Sequence, residues 1–87
     1  MTTHHLKCVQ PWYDETEAGR KTADIRCEID RRFEVGDEIV LHDWDADAGY
    51  SGRSVTGRIT HILRSADFPG LAPAHAMLSF LRTGVDL

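Results

Sequence analysis

The segment KTADIRCE, residues 21–28, alternates apolar and polar side chains along its length. The apolar set is Ala23, Ile25 and Cys27, and the polar set is Asp24, Arg26 and Glu28. Successive side chains of a β-strand point to opposite faces, so this period of two predicts a half-buried strand. We expect the apolar set to face the core and the polar set to face outward.

The rest of the chain supplies four more strand patterns and one helix pattern. Strands are predicted over residues 4–10, 38–44, 53–64 and 75–81, and a helix over residues 12–18 that ends at Gly19. Residues 45–52, rich in Asp, Ala, Gly and Ser, predict a hairpin loop, and residues 65–73 predict another loop. Together these elements predict a mostly β (α+β) fold. It would be one small barrel or strongly curved sheet of about five strands with one short helix, a single domain over residues 1–87.

Composition limits the classes of function. The 87 residues carry a formal net charge of −4, and 28% of them are charged. Proteins that grip long nucleic acids without sequence preference are usually basic, so a small or single-stranded ligand is favoured over a long duplex. No apolar run approaches the roughly 20 residues of a membrane-spanning helix, and the first residues lack the apolar stretch of a signal peptide. We therefore expect a cytoplasmic protein without a membrane partner.

The two cysteines, Cys8 and Cys27, are expected to be reduced thiols on or near the core. A zinc site would need two further ligands from the histidines, and no spacing typical of a metal site occurs in the sequence. We therefore predict no metal and no cofactor.

The residues GRKTADIR, 19–26, carry a recognisable motif. They resemble the ASCH pattern G-x-K-x-x-E-x-R, because Gly19, Lys21 and Arg26 match and Asp24 stands where the pattern has glutamate. Further pieces match in order along nearly the full length: His4-x-Leu6-Lys7, Phe33-x-Val35-Gly36-Asp37, Trp44, Gly49-Tyr50-x-Gly52-Arg53 and Ile59-x-x-Ile62-Leu63. The chain is thereby similar to a small ASCH/PUA-like family of bacterial and phage proteins of unknown function.

This resemblance implies a PUA-like β-barrel with a cleft in which the motif's charged residues face a bound nucleotide or RNA. Lys21, Asp24 and Arg26 would then form the binding site. Arginine and lysine can meet phosphate or a base edge, while the carboxylate holds them in position. Without the resemblance, an exposed ion pair with no further role is the simpler interpretation.

A small hydrolase is the alternative. Some relatives are similar to an amidohydrolase that acts on an acetylated cytidine nucleoside, and others are reported as ribonucleases. In the amidohydrolase branch the motif lysine, a threonine and a later glutamate carry the chemistry. Lys21 matches the lysine and Asp24 occupies the threonine position, but no glutamate follows Glu38 in this chain. If the chain is an enzyme, Lys21 and Asp24 are the predicted catalytic pair.

Aromatic residues offer surfaces on which a base could stack. Tyr50, in a glycine-rich loop beside Arg53, is the best candidate, and we add both residues to the predicted nucleotide site. Trp12, on the helix, is expected to pack in the core instead. A protein partner, as for a phage factor that binds a host enzyme, is a third interpretation of the chain.

Overall fold

The computed structural model describes residues 1–86 as a mostly β fold with one short helix, which confirms the predicted fold class. The elements are β1 Thr3–Cys8, α1 Trp12–Glu17, β2 Ala23–Cys27, β3 Glu38–Asp45, β4 Gly49–Arg64 and β5 His75–Asp86. Residue 87, the last of the predicted domain, lies outside the described residues. Gly19 follows α1 with a φ of +83°, the left-handed conformation that commonly ends a helix.

The five strands form one curled sheet in the order β1-β3-β4-β5-β2. β1 pairs with β3 in parallel, and the three other pairs are antiparallel. β1 and β2 are therefore the two edge strands, and the curl brings them towards each other. Across the gap the Arg26 Nη2 atom donates a hydrogen bond of 2.7 Å to the carbonyl oxygen of Lys7. We call this junction between the ends of β1 and β2 the seam.

The core lies inside the curl. Ile39 and Leu41 of β3 are buried, as expected for residues two apart on one strand face, and so are Val55 and Ile59 of β4. The helix α1 adds the fully buried Tyr13 to the same cluster. Burying side chains of this size typically contributes about 1.5–3 kcal/mol each, so these residues hold α1 against the strands.

The predicted orientation of β2 is wrong. Asp24 and Arg26 face the inside of the curl and are only partly exposed, whereas Ile25 is 54% exposed and Cys27 lies on the surface. The physical reason is that each inward charge has a partner: Asp24 pairs with Arg26, and Glu28 with Arg64 of β4. Partly buried charges are tolerated when they are paired and hydrogen-bonded. An edge strand beside the seam can therefore turn its polar set inward.

The predicted loop at residues 45–52 is shorter in the structure, and β5 is longer than predicted. Trp44 pairs with Tyr50 and Asp45 with Gly49, so only residues 46–48 connect β3 to β4. The Asp45 carboxylate accepts the N–H groups of Asp47 and Ala48, which closes this tight turn. The turn therefore occupies only residues 46–48, and the residues on either side of it continue the pairing of β3 with β4.

Gly57 lies at a register shift between β4 and β5, the kind of irregularity that a glycine inside a strand commonly marks. A Cβ atom at this position would lie 2.8 Å from Phe80 Cδ2 and 3.3 Å from the Leu81 carbonyl oxygen. We expect Gly57→Ala to lower the free energy of unfolding by about 1–3 kcal/mol, because it overpacks the core. Gly84→Ala is the control, since a Cβ there meets no atom within 4 Å. Urea unfolding measures both, and equal effects would contradict the close packing at Gly57.

Candidate nucleotide-binding cleft

A cavity of about 620 Å³ opens at the seam. We call it the seam cleft. Its apolar wall is formed by Val9, Trp12, Ala23, Ile25 and Met77, its charged residues are Lys7, Lys21, Asp24 and Arg26, and Cys8 completes the lining. Without Lys7, whose ammonium lies over Trp44, the cleft still has two cations, Lys21 and Arg26, against the single anion Asp24, so its charge is opposite in sign to that of the chain as a whole. An anionic ligand with an apolar part fits this lining best.

The charged group in the cleft is centred on Asp24. One Asp24 oxygen lies 3.2 Å from Lys21 Nζ, and the other lies 2.7 Å from Arg26 Nε. Lys21 Nζ also donates to the carbonyl oxygen of Ala23. All three charged side chains are partly buried, with exposed fractions between 15% and 26%. We call Lys21, Asp24 and Arg26 the charged triad.

Within the charged triad, Asp24 holds the two cations in place, and both cations keep N–H donors for a ligand. A guanidinium carries five N–H donors, and within residues 1–86 Arg26 uses two of them, the one on Nε and one of the two on Nη2. An ammonium carries three donors, of which Lys21 uses two in the same part of the chain. Asp24 and the neighbouring backbone already hold both side chains. Little conformational entropy is therefore lost when a ligand accepts hydrogen bonds from the remaining N–H groups.

Trp12 is a cleft residue, which corrects its expected place in the core. It is 54% exposed and lines the seam cleft, while the neighbouring Tyr13 is fully buried. Tyr13 and Thr16 are three residues apart and form the buried face of α1. Residues that follow one another on a helix point about 100° apart, so burial of Tyr13 turns Trp12 aside. Trp12 and Tyr13 lie four and three residues before Thr16, so helical spacing alone does not decide which of the two aromatic side chains is buried.

Cys8 contributes an apolar surface rather than a reactive thiol. Burial raises the pKa of its thiol, and the nearby Asp24 carboxylate raises it further, although Arg26 and Lys21 act in the opposite direction. The thiolate is the nucleophilic form, so a raised pKa keeps Cys8 in its unreactive state. Cys8 and Cys27 are both free, with Cys8 buried and Cys27 exposed.

Arg53 lies outside the seam cleft lining and is engaged by α1 and β3. Its guanidinium nitrogens lie 2.9 Å from Glu17, 3.3 Å from Asp14 and 3.7 Å from Asp43. The hydrogen bond from Arg53 lowers the pKa of the Glu17 carboxyl. Arg53 also lies over the Tyr13 ring, 5.2 Å from its centroid. This arrangement fastens α1 to the sheet, so Arg53 influences the cleft through the helix that carries Trp12.

Tyr50 is also placed outside the seam cleft lining. It is 60% exposed and borders a second, smaller hollow of about 200 Å³ together with His5, Leu6 and His42. The structure therefore groups Lys21, Asp24 and Arg26 at one place and separates them from Tyr50 and Arg53. Over residues 1–86, no group of three or more His, Cys, Asp or Glu side chains is arranged to hold a metal ion.

Fold and site together define a class: small curled β-sheet proteins with a cationic cleft where the two edge strands meet. The chain belongs to the family described as a domain of unknown function, DUF3850, which matches residues 3–80 and so includes every cleft residue. It is 34% identical over 65 residues to an uncharacterized 12.9 kDa protein from the GpA 3′ region of Escherichia phage P2. The alignment covers 75% of this chain and 58% of that relative's length. Over residues 1–86, the helical structure lacks the length and hydrophobicity of a membrane-spanning segment.

Proposed function

We propose that this chain is an RNA- or nucleotide-binding module of the ASCH/PUA-like kind and that the seam cleft is its binding site. The observation that carries the proposal is the shared cavity of the charged triad and Trp12. A nucleotide has an anionic phosphate and a flat base, and the cleft offers a partner for each.

The phosphate partner is the pair of cations held by Asp24. Arg26 presents a planar guanidinium, which suits the geometry of phosphate oxygens, and Lys21 adds a second positive charge. The base partner is Trp12, whose exposed indole is large enough to stack on any base. Because stacking is tolerant of base identity, we expect modest sequence preference.

A hydrolase remains the second candidate, supported by the 3.2 Å contact between Lys21 Nζ and Asp24. A nucleophilic lysine must be a neutral amine, and an acid–base carboxylate must have an oxygen that reaches the substrate. Here Lys21 donates to two acceptors, and both Asp24 oxygens accept hydrogen bonds from the neighbouring cations. These contacts favour binding over hydrolysis.

The test compares Lys21→Ala and Arg26→Ala with the parent chain. Each should weaken binding by about 1–3 kcal/mol, roughly 5- to 150-fold, because each removes a charge-assisted contact to phosphate or base. Arg58→Ala is the matched control, since this exposed arginine of β4 lies outside the cleft lining. Calorimetric titration with the four ribonucleoside monophosphates and short RNAs gives the affinities, and thermal unfolding checks the fold.

Asp24→Asn separates the two candidates. A binding module should lose affinity mildly, since Lys21 and Arg26 lose their anchor, whereas a hydrolase should lose turnover and keep most of its affinity. Turnover is followed by chromatography of RNA and of N4-acetylcytidine incubated with each variant. If Lys21→Ala and Arg26→Ala bind like the parent chain, or if no nucleotide or RNA binds, the proposal fails.

A further inference from the structure

Five ring-bearing or cationic side chains lie close together on the outer face of the sheet, on β1, β3 and the first residues of β4, where Lys7 and His42 are cross-strand partners. We call this group the outer-face patch, and its members are His5, Lys7, His42, Trp44 and Tyr50. The rings of His5 and His42 meet edge to edge and nearly in one plane, with His5 Nδ1 2.9 Å from His42 Nε2 and an angle of 23° between the rings. Tyr50 meets His42 edge to face at 5.9 Å, and Lys7 Nζ lies 4.3 Å from the centroid of the Trp44 ring.

The two carboxylates that flank Trp44 in the sequence, Asp43 and Asp45, are engaged by groups outside the outer-face patch. Asp43 lies between His42 and Trp44 in the sequence, but its side chain is largely buried and contacts Arg53, Ser51 and Gln10. Asp45 uses one carboxylate oxygen to close the turn after β3. The patch therefore presents aromatic and imidazole rings together with a lysine, the combination that single-stranded nucleic acids stack upon.

Lys7 joins the outer-face patch to the seam cleft. Its carbonyl oxygen accepts the hydrogen bond from Arg26 in the cleft, while its side chain lies over Trp44 on the outer face. His5 is two residues away on the same strand face, about 6–7 Å along β1. The edge strand β1 alone therefore separates the seam cleft from the outer-face patch. An RNA strand that leaves the cleft across β1 meets the outer-face patch next.

We infer that the ligand is a single-stranded RNA of several nucleotides rather than a free nucleotide. One nucleotide occupies the seam cleft, and its neighbours cross β1 and stack on the outer-face patch. This inference rests on the proposed function of the cleft. A duplex does not fit, because its bases are already stacked on each other and cannot lie against Tyr50 and His42.

The two tryptophans of the chain allow the two surfaces to be observed separately. Trp12 is in the cleft and Trp44 is in the patch, so Trp44→Phe leaves fluorescence only from the cleft and Trp12→Phe only from the patch. We expect AMP to quench Trp12 alone. Hexaadenylate RNA should quench both tryptophans and bind at least about tenfold more tightly than AMP, a difference of about 1.4 kcal/mol.

Tyr50→Ala and His42→Ala should each reduce hexaadenylate binding several-fold and leave AMP binding unchanged. His61→Ala is the control, because it removes an exposed histidine of β4 outside both hollows. If hexaadenylate quenches only Trp12, or binds Tyr50→Ala and His42→Ala as it binds the parent, the inference is overturned while the proposed function stands. If neither AMP nor hexaadenylate quenches Trp12, both the inference and the proposed function fail.

Discussion

Asp37→Ala is expected to lower the free energy of unfolding by about 3–5 kcal/mol, because it breaks a buried polar pair. Asp37 and His4 are each only 5% exposed, and their side chains meet at 2.8 Å. The same carboxylate accepts the backbone N–H groups of Thr2 and Glu34 at 3.1 Å each. It therefore ties the start of β1 to the turn before β3. A chain of this length has a total stability of only about 4–13 kcal/mol, so the loss is large.

The effect of Asp37 should also depend on pH. Burial raises the pKa of the Asp37 carboxyl, but hydrogen bonds from His4 and from the two N–H groups outweigh it, and the net pKa is lowered. A carboxyl whose pKa is lower in the folded state contributes stability above its unfolded value. That contribution is lost as the pH falls through the folded value. The difference between parent and Asp37→Ala should therefore shrink below about pH 4.

Urea unfolding between pH 2.5 and pH 7 measures both effects. Asp47→Ala is the matched control, because Asp47 is exposed in the β3–β4 turn. Asp37→Asn keeps an acceptor oxygen and should cost less than alanine, which keeps the test informative if Asp37→Ala does not fold. A loss below about 1 kcal/mol for Asp37→Ala at pH 7, equal to that of Asp47→Ala, would contradict the assigned role.

The central strands were predictable because their pattern is decided by one buried face. Ile39 and Leu41 lie two residues apart between Glu38 and His42, and the structure buries both while Val40 between them is only partly buried. The orientation of β2 was not predictable in the same way, because it depends on contacts between distant parts of the chain. The inward carboxylate of Glu28 accepts a hydrogen bond of 2.9 Å from Arg64, 36 residues later, and one of 2.9 Å from the backbone N–H of Phe33. Nothing in residues 21–28 alone indicates that these partners exist.

The candidate site was predictable only where its residues share one element. Lys21, Asp24 and Arg26 lie within six residues, so a local motif captures them. Trp12 enters the same cleft because β1 and β2 meet at the seam, which is a consequence of how the whole sheet curls. Arg53 forms ion pairs with Glu17 and Asp14 of α1, which lie 36 and 39 residues before it in the sequence. The sequence around Arg53 does not show these partners, so its place beside a glycine-rich loop suggested a ligand contact instead.

Tyr13→Ala is expected to cost about 3–5 kcal/mol of stability, the typical loss for a buried aromatic residue. Tyr13 is fully buried beneath α1, and its hydroxyl donates to Glu17 at 2.9 Å. A helix of six residues is too short to persist without tertiary contacts, so α1 depends on this anchor. Removal of the ring should therefore release the helix as well as leave a cavity.

Release of α1 should reach the seam cleft, because Trp12 begins the helix and forms part of the cleft wall. We expect faster hydrogen exchange of the α1 amides in Tyr13→Ala and a change in Trp12 fluorescence, measured in the Trp44→Phe background. Urea unfolding gives the stability of each variant. Tyr13→Leu, which retains much of the buried volume, covers the case in which Tyr13→Ala does not fold.

Tyr13→Phe is the matched control for this prediction. It keeps the ring and loses only the hydrogen bond to Glu17, which should cost about 0.5–1.5 kcal/mol and leave α1 in place. A Phe variant as unstable as Tyr13→Ala would assign the anchoring to the Tyr13–Glu17 hydrogen bond instead of the ring. If Tyr13→Ala lost stability while Trp12 fluorescence and α1 exchange stayed unchanged, the helix would be held by Arg53 and its carboxylates. The link between core packing and the cleft wall would then be refuted.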